Sequence, residues 1–238
     1  MREVLEYFTE RESEFKRHMF IARLLEARVD DAVRDDEAQV EVRHVNTLKS
    51  GLLIHLYNIV EAVTTRTMQV VGQIVVTEKP KLWTDAVLKE WVRAAIWDGK
   101  ERLGEGVVTR LAKISGVLAS GDALEAFKIK DDSGSLDDAA IKNLANRLGC
   151  QLVLSRAIKK AAFEPAYLNE TTAMKYLVNR RNAIAHGATT FEDGARDQTL
   201  DEIEELARRI LPFLKAVAES YDVFLNSKDY LAPQEIAA

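Results

Sequence analysis

One short run concentrates the residues able to do chemistry. Tyr176-Leu-Val-Asn-Arg-Arg-Asn-Ala-Ile-Ala-His-Gly187 sets Arg181 five residues before His186, with Asn182 directly after the arginine. Read as a helix, the run puts Lys175, Asn179, Asn182 and His186 on one polar face, side chains at successive turns that suit phosphate and sugar contacts. Arg181 falls elsewhere, about 40° from Leu177 and about 60° from Ile184, inside the apolar stripe. A guanidinium there needs a partner, because an unpaired buried charge is costly. Glu61, one helical turn after Tyr57 at the edge of another apolar stripe, is the candidate. Arg180 sits further outside. The surrounding segment, 142–186, holds 8 basic residues against 2 acidic ones, Lys159 and Lys160 among them, while the whole chain carries a net charge of −5. Phosphate recognition is therefore expected here and not from a global basic field.

Other chemistries lack their residues. There is no Gly-rich phosphate loop, dinucleotide fingerprint or His-Glu-x-x-His motif, and Gly104-Glu-Gly106 reads as a loop. His18, His44, His55 and His186 show no metal-ligand spacing, and His55 reads as a satisfied interior histidine. The single cysteine, Cys150, allows no intramolecular disulfide or Cys-rich metal site. No Ser or Cys stands in a nucleophile elbow. The expected chemistry needs no metal, no cofactor and no covalent intermediate. The apolar-rich stretch from Gly51 to Val76 is too polar to span a bilayer, and the amphipathic start, Met1 to Glu6, is not a signal peptide. The chain reads as soluble and cytoplasmic, without membrane association.

The elements that must hold these residues read as helices. Gly and Pro together number 15 of 238 residues, too few for a many-stranded barrel or sandwich. Helical periodicity runs from Val4 to Val33, where Asp35-Asp36-Glu37 ends it, and from Val42 to about Ile74. Thr84 caps a helix through Trp97, and glycines at 99, 104, 106, 116 and 121 predict short helices and loops beyond it. Ser135 reads as an N-cap and Gly149 as the matching C-cap. Cys150 to Ala162 leans to helix, although Leu152-Val-Leu154 could be a short strand. A helix from about Thr171 to His186 ends at Gly187. A loop over 188–198 follows, then a long helix opened by a Thr199/Glu202 capping box and kinked at Pro212. The expected fold is all-α: one domain over 1–238, a bundle of four to five long helices, with 78–133 inserted as short helices and loops.

The Arg181–His186 run resembles the HEPN superfamily, whose ribonuclease members carry Arg, often followed by a polar residue, then His after four to six intervening residues. Arg11 and His18 also satisfy that bare spacing. The later pair adds the polar Asn182, the helix-ending Gly187 and a place on the penultimate long helix. Leu-Tyr-Asn-Ile-Val-Glu61, Gly134-Ser-Leu-Asp-Asp with Gly149, and Asp229-Tyr-Leu231 resemble the larger stand-alone bacterial branch, so the likeness covers about 42–231. It implies an endoribonuclease of the toxin or antiviral-defence kind, acting as a homodimer whose paired motif helices make one composite cleft. It also implies metal-free transesterification, with the RNA 2′-hydroxyl attacking its own 3′-phosphate. His186 is then general base or acid, Arg181 stabilises charge on the phosphoryl oxygens, and Asn182 orients His186 or binds phosphate. Glu61 supports Arg181, while Lys175, Asn179, Arg180, Lys159 and Lys160 contact RNA. An antitoxin or defence-system protein is a further partner of this kind. Where some HEPN toxins carry a modifiable Tyr two residues after the His, this chain has Ala188. Two other readings fit the same residues: a catalytically idle HEPN module that binds RNA or nucleotide, and a helical adaptor dimer.

Overall fold

Apolar residues recurring along one stripe make α2 (Val42–Val75) the axis of the molecule. Its 34 residues give a rod about 50 Å long. The computed structural model describes residues 1–29, 39–96, 105–121, 124–130 and 134–233. Among them are eight α-helices and no strand, so the chain is an all-α helical bundle. α1 (Arg2–Glu26), α2 and α8 (Leu200–Asn226) pack pairwise on one another. Their shared core includes Phe8, Leu53, Leu56, Val63, Phe213 and Tyr221. α7 (Ala173–Ala185) lies on α2 and α8, and α6 (Arg156–Phe163) covers α8 beside it.

α1 ends at Glu26, short of the expected Val33, which with Asp35-Asp36-Glu37 falls outside the described residues. α2 matches its expected bounds within a residue. α8 opens on the full Thr199/Glu202 capping box and continues past Pro212. Thr84 Oγ1 accepts from Val87 N at 3.4 Å at the start of α3 (Asp85–Ile96), whose expected end at Trp97 lies outside the described residues.

Three local expectations are corrected. α4 (Glu105–Ser120) is a 16-residue helix that contains Gly106 and Gly116, where the glycines predict short helices and loops; Gly99 and Gly104 lie outside the described residues. A helical Gly costs only about 1 kcal/mol relative to Ala, so neither Gly106 nor Gly116 is enough to break it. α5 (Asp138–Leu148) is capped by Asp137, whose side chain accepts from Ala140 N, and not by Ser135. The residues after Cys150 form no helix or strand until Ser155, which caps α6. Val153 N donates to Ser220 Oγ of α8 at 2.9 Å, a tertiary bond that competes with helix formation. Gly149 closes α5 in the left-handed region (φ 73°), as its position suggests.

Two contacts of the described part of 78–133 with the bundle bear on the site. Glu90 of α3, 3 % exposed, accepts from Arg147 of α5 at 3.0 Å. The segment 124–130 crosses α2 at Gly72, where a Cβ would stand 2.2 Å from the Phe127 carbonyl oxygen. Only glycine permits that approach, and it brings Lys128, Ile129 and Lys130 alongside α2. No helix among the described residues is long and apolar enough to cross a membrane.

Candidate functional site

α7 is pinned at both ends. At its start Thr172 caps the helix by accepting from Lys175 N at 3.2 Å. The Thr172 hydroxyl also donates to Asp138 Oδ1 of α5 at 2.6 Å, and Lys175 Nζ reaches Asp137 Oδ2 at 3.0 Å. Burial pushes the Asp138 carboxyl above the usual carboxylate range, an effect opposed by that hydroxyl. At the other end Arg180 donates to the Tyr176 hydroxyl at 3.0 Å, to the Gly194 carbonyl at 3.4 Å and to Asp197. These bonds fasten the loop 188–198 to the helix. Between the pins Met174, Leu177 and Val178 are buried.

The apolar stripe carries Arg181 onto α2. Its side chain is 29 % exposed, with Nη2 3.8 Å from Glu61 Oε2 and Cζ 4.5 Å above the Tyr57 ring. That distance is within cation–π range. Nη1 donates to Asn182 Oδ1 at 3.0 Å. Glu61 is itself about half exposed, so the ion pair is weak, and the aromatic face and the amide share the work of aiming the guanidinium. Tyr57, not among the expected site residues, is fixed in turn by Leu136 N, which donates to its hydroxyl at 3.4 Å. Its sequence signal is its place one turn before Glu61.

His186 is the C-cap of α7 and is exposed. Its backbone N–H donates to the Asn182 carbonyl at 3.0 Å. Gly187 then adopts φ +72°. Ala188 N donates to the Ala183 carbonyl at 2.9 Å and Gly187 N to the Ile184 carbonyl at 3.2 Å, the paired bonds of a Schellman ending. This reversal holds His186 at the protruding end of the helix. Among the described residues its ring accepts or donates no hydrogen bond, and no contact joins it to the Asn182 amide or to Arg181. The two motif side chains, about 140° apart on an ideal helix, do not meet within one chain.

The expected RNA-contacting residues divide. Asn179 is exposed on α7. Lys175 and Arg180 are engaged inside the chain, with Asp137 and Asp197. Lys159 and Lys160 are exposed on α6, and Lys159 borders a separate hollow with Lys142, Asn146 and Phe163. Among the described residues no contact links either lysine to Arg181. Burial pushes the Cys150 thiol up to about 12, so it remains protonated and is no nucleophile. No group of three or more His, Cys, Asp or Glu among the described residues is placed to hold a metal ion.

The arrangement thus offers an aimed, partly buried guanidinium, an exposed imidazole one turn and a half further on, and an amide between them. A profile of the MAE_28990-like HEPN family matches residues 2–230 of the chain. Comparison with curated proteins and with solved structures gives no match.

Proposed function

The chain belongs to the HEPN family, and on that premise we propose that it is a metal-independent endoribonuclease of the toxin or antiviral-defence kind. Its site is completed when two copies set the α7 helices together. The observation that carries the reading is the state of Arg181. Its guanidinium is fixed by Tyr57, Glu61 and Asn182 but is not neutralised by a close carboxylate, so it is able to take a phosphate oxygen.

In the proposed reaction His186 takes the proton from the ribose 2′-hydroxyl. The O2′–phosphorus bond forms, the bond to the 5′-oxygen breaks, and an imidazolium returns a proton to that leaving oxygen. The products are a 2′,3′-cyclic phosphate and a 5′-hydroxyl. Arg181 stabilises the charge that builds on the non-bridging oxygens. Asn182 positions Arg181, and Glu61 supports it from α2. The 140° between Arg181 and His186 is the reason for a second copy, since α7 packed against its equivalent brings the imidazole of one chain towards the guanidinium of the other. Asn179, Lys159 and Lys160 remain available for flanking phosphates. Lys175 and Arg180 reach RNA only by leaving their internal partners.

The test is to incubate the purified protein with mixed cellular RNA in excess EDTA and identify the product ends. Cleavage with cyclic-phosphate ends is expected. Intact RNA beside a demonstrated folded dimer would overturn the reading in favour of a binding module.

A further inference from the structure

A cleft of about 370 Å³ opens beside Arg181, within the size range of small-ligand sites. One wall is α2, through Tyr57, Glu61 and Thr64, and the other is the crossing segment, through Ile129 and Lys130. Tyr57 and Glu61 are the same residues that hold the Arg181 guanidinium, so the cleft and the candidate catalytic arginine share a wall. Met68, Ile129 and Leu144, all buried, give it an apolar lining. Lys128 and Lys130, both exposed, supply cations on the far side.

Thr64 adds a separate signal. It is 3 % exposed, and its hydroxyl oxygen is buried without a hydrogen-bond partner. The neighbouring Thr67 behaves as helical threonines commonly do, donating to the Val63 carbonyl at 2.8 Å. A buried hydroxyl left unpaired costs about 1–3 kcal/mol, and a ligand in the cleft that Thr64 lines would offset that cost once the side chain turns about χ1 to face it. A flat apolar face, a hydrogen-bonding edge and a nearby negative charge are what a nucleotide presents.

We infer that this cleft holds the base of the ribonucleotide next to the scissile phosphate, and so gives the enzyme a base preference at the cut. The base stacks on Met68 and Ile129, the Thr64 hydroxyl reads its edge, and Lys130 meets the adjoining phosphate. The inference rests on the ribonuclease reading, and its test does not depend on turnover. Titrate the wild-type protein by calorimetry with each of the four nucleoside 3′-monophosphates, which contain no cleavable diester. One is expected to bind about tenfold more tightly than the others, the worth of a single well-made buried hydrogen bond. Thr64→Val, which removes an already unpaired hydroxyl and so spares the fold, should erase that difference. Lys130→Ala should weaken all four alike. Equal affinities, no binding at millimolar concentration, or selectivity that survives Thr64→Val would overturn the site. Selective binding by a protein that leaves RNA uncut would instead overturn the ribonuclease reading and keep a nucleotide site.

Discussion

Two stretches of this chain, around Arg11 and His18 and around Arg181 and His186, satisfy the same loose arginine–histidine spacing, and their surroundings are opposite. Arg11 of α1 lies 5.1 Å from the Tyr7 ring centroid and is paired with Glu14 at 2.7 Å and Glu10 at 3.2 Å. His18 turns to α2, with its Nδ1 3.1 Å from Nδ1 of His55. His55 in turn stands 3.7 Å from Glu14. Arg181 also stacks on a tyrosine, but its carboxylate is 3.8 Å away, and the ring of its exposed histidine has no hydrogen-bond partner among the described residues. In the first pair Arg11 is held by two carboxylates of its own helix, and His18 joins α1 to α2. The second keeps capacity for a ligand. Spacing alone does not distinguish them; what does is whether close carboxylates already occupy the guanidinium.

The largest contrast should appear in catalysis. Arg181→Ala and His186→Ala are each expected to lower the initial rate of RNA cleavage by about 10²–10⁴-fold, the usual worth of an oxyanion donor or a proton-transferring side chain. Arg11→Ala and His18→Ala should leave that rate unchanged. Equal losses at both pairs would erase the distinction.

A smaller contrast should separate the two supporting carboxylates. Glu61→Gln removes a partly exposed ion pair worth at most about 1 kcal/mol, so cleavage should fall by no more than about fivefold while the urea midpoint holds. Glu14→Gln should do the reverse, lowering stability by about 0.5 kcal/mol with the rate intact. A Glu61→Gln loss as large as that of Arg181→Ala would give Glu61 a direct part in the reaction.

The smallest effect is a pH slope confined to the first region. Burial, then the neighbouring His18, holds the His55 imidazole below its ordinary value, with Glu14 opposing and Arg11 reinforcing the shift. The unfolded chain therefore binds a proton that the folded chain resists. This contribution to stability is complete above about pH 6.5 and is lost as the pH falls from there towards the depressed value. Urea midpoints measured from about pH 7.5 down to about pH 5.5 should decline, and His55→Gln should flatten the decline. An unchanged slope in His55→Gln would assign it to other groups.

The parts legible in the sequence were those fixed by local signals. α2 follows its stripe, α8 its Thr199/Glu202 box and α7 its Gly187 ending, because period, cap and left-handed glycine act within a few residues. The wheel separates Arg181 from its neighbour Arg180, since one step of about 100° carries a side chain from the α2 contact to the loop 188–198. What the sequence did not disclose depends on partners far along the chain. Asp137 caps α5 while Asp138 holds Thr172, so the helix begins beyond Ser135. Residues 151–155 stay out of the helix, with Val153 bonded to Ser220. The cleft beside Arg181 exists because Gly72 admits the Phe127 backbone, a contact that no periodicity encodes. Lys175 and Arg180 were legible as cations, but their engagement with Asp137 and Asp197 was not.

The most direct single measurement uses a short RNA spanning one mapped cut, made with and without a 2′-deoxy sugar at the residue whose 2′-hydroxyl is the proposed nucleophile. Both are incubated with the protein in excess EDTA. The all-ribose strand should be cut there, leaving a 2′,3′-cyclic phosphate, and the deoxy strand should remain whole at that position. Cleavage of the deoxy strand at the same bond, or a 3′-hydroxyl end from the ribose strand, would contradict transesterification by the Arg181–His186 site.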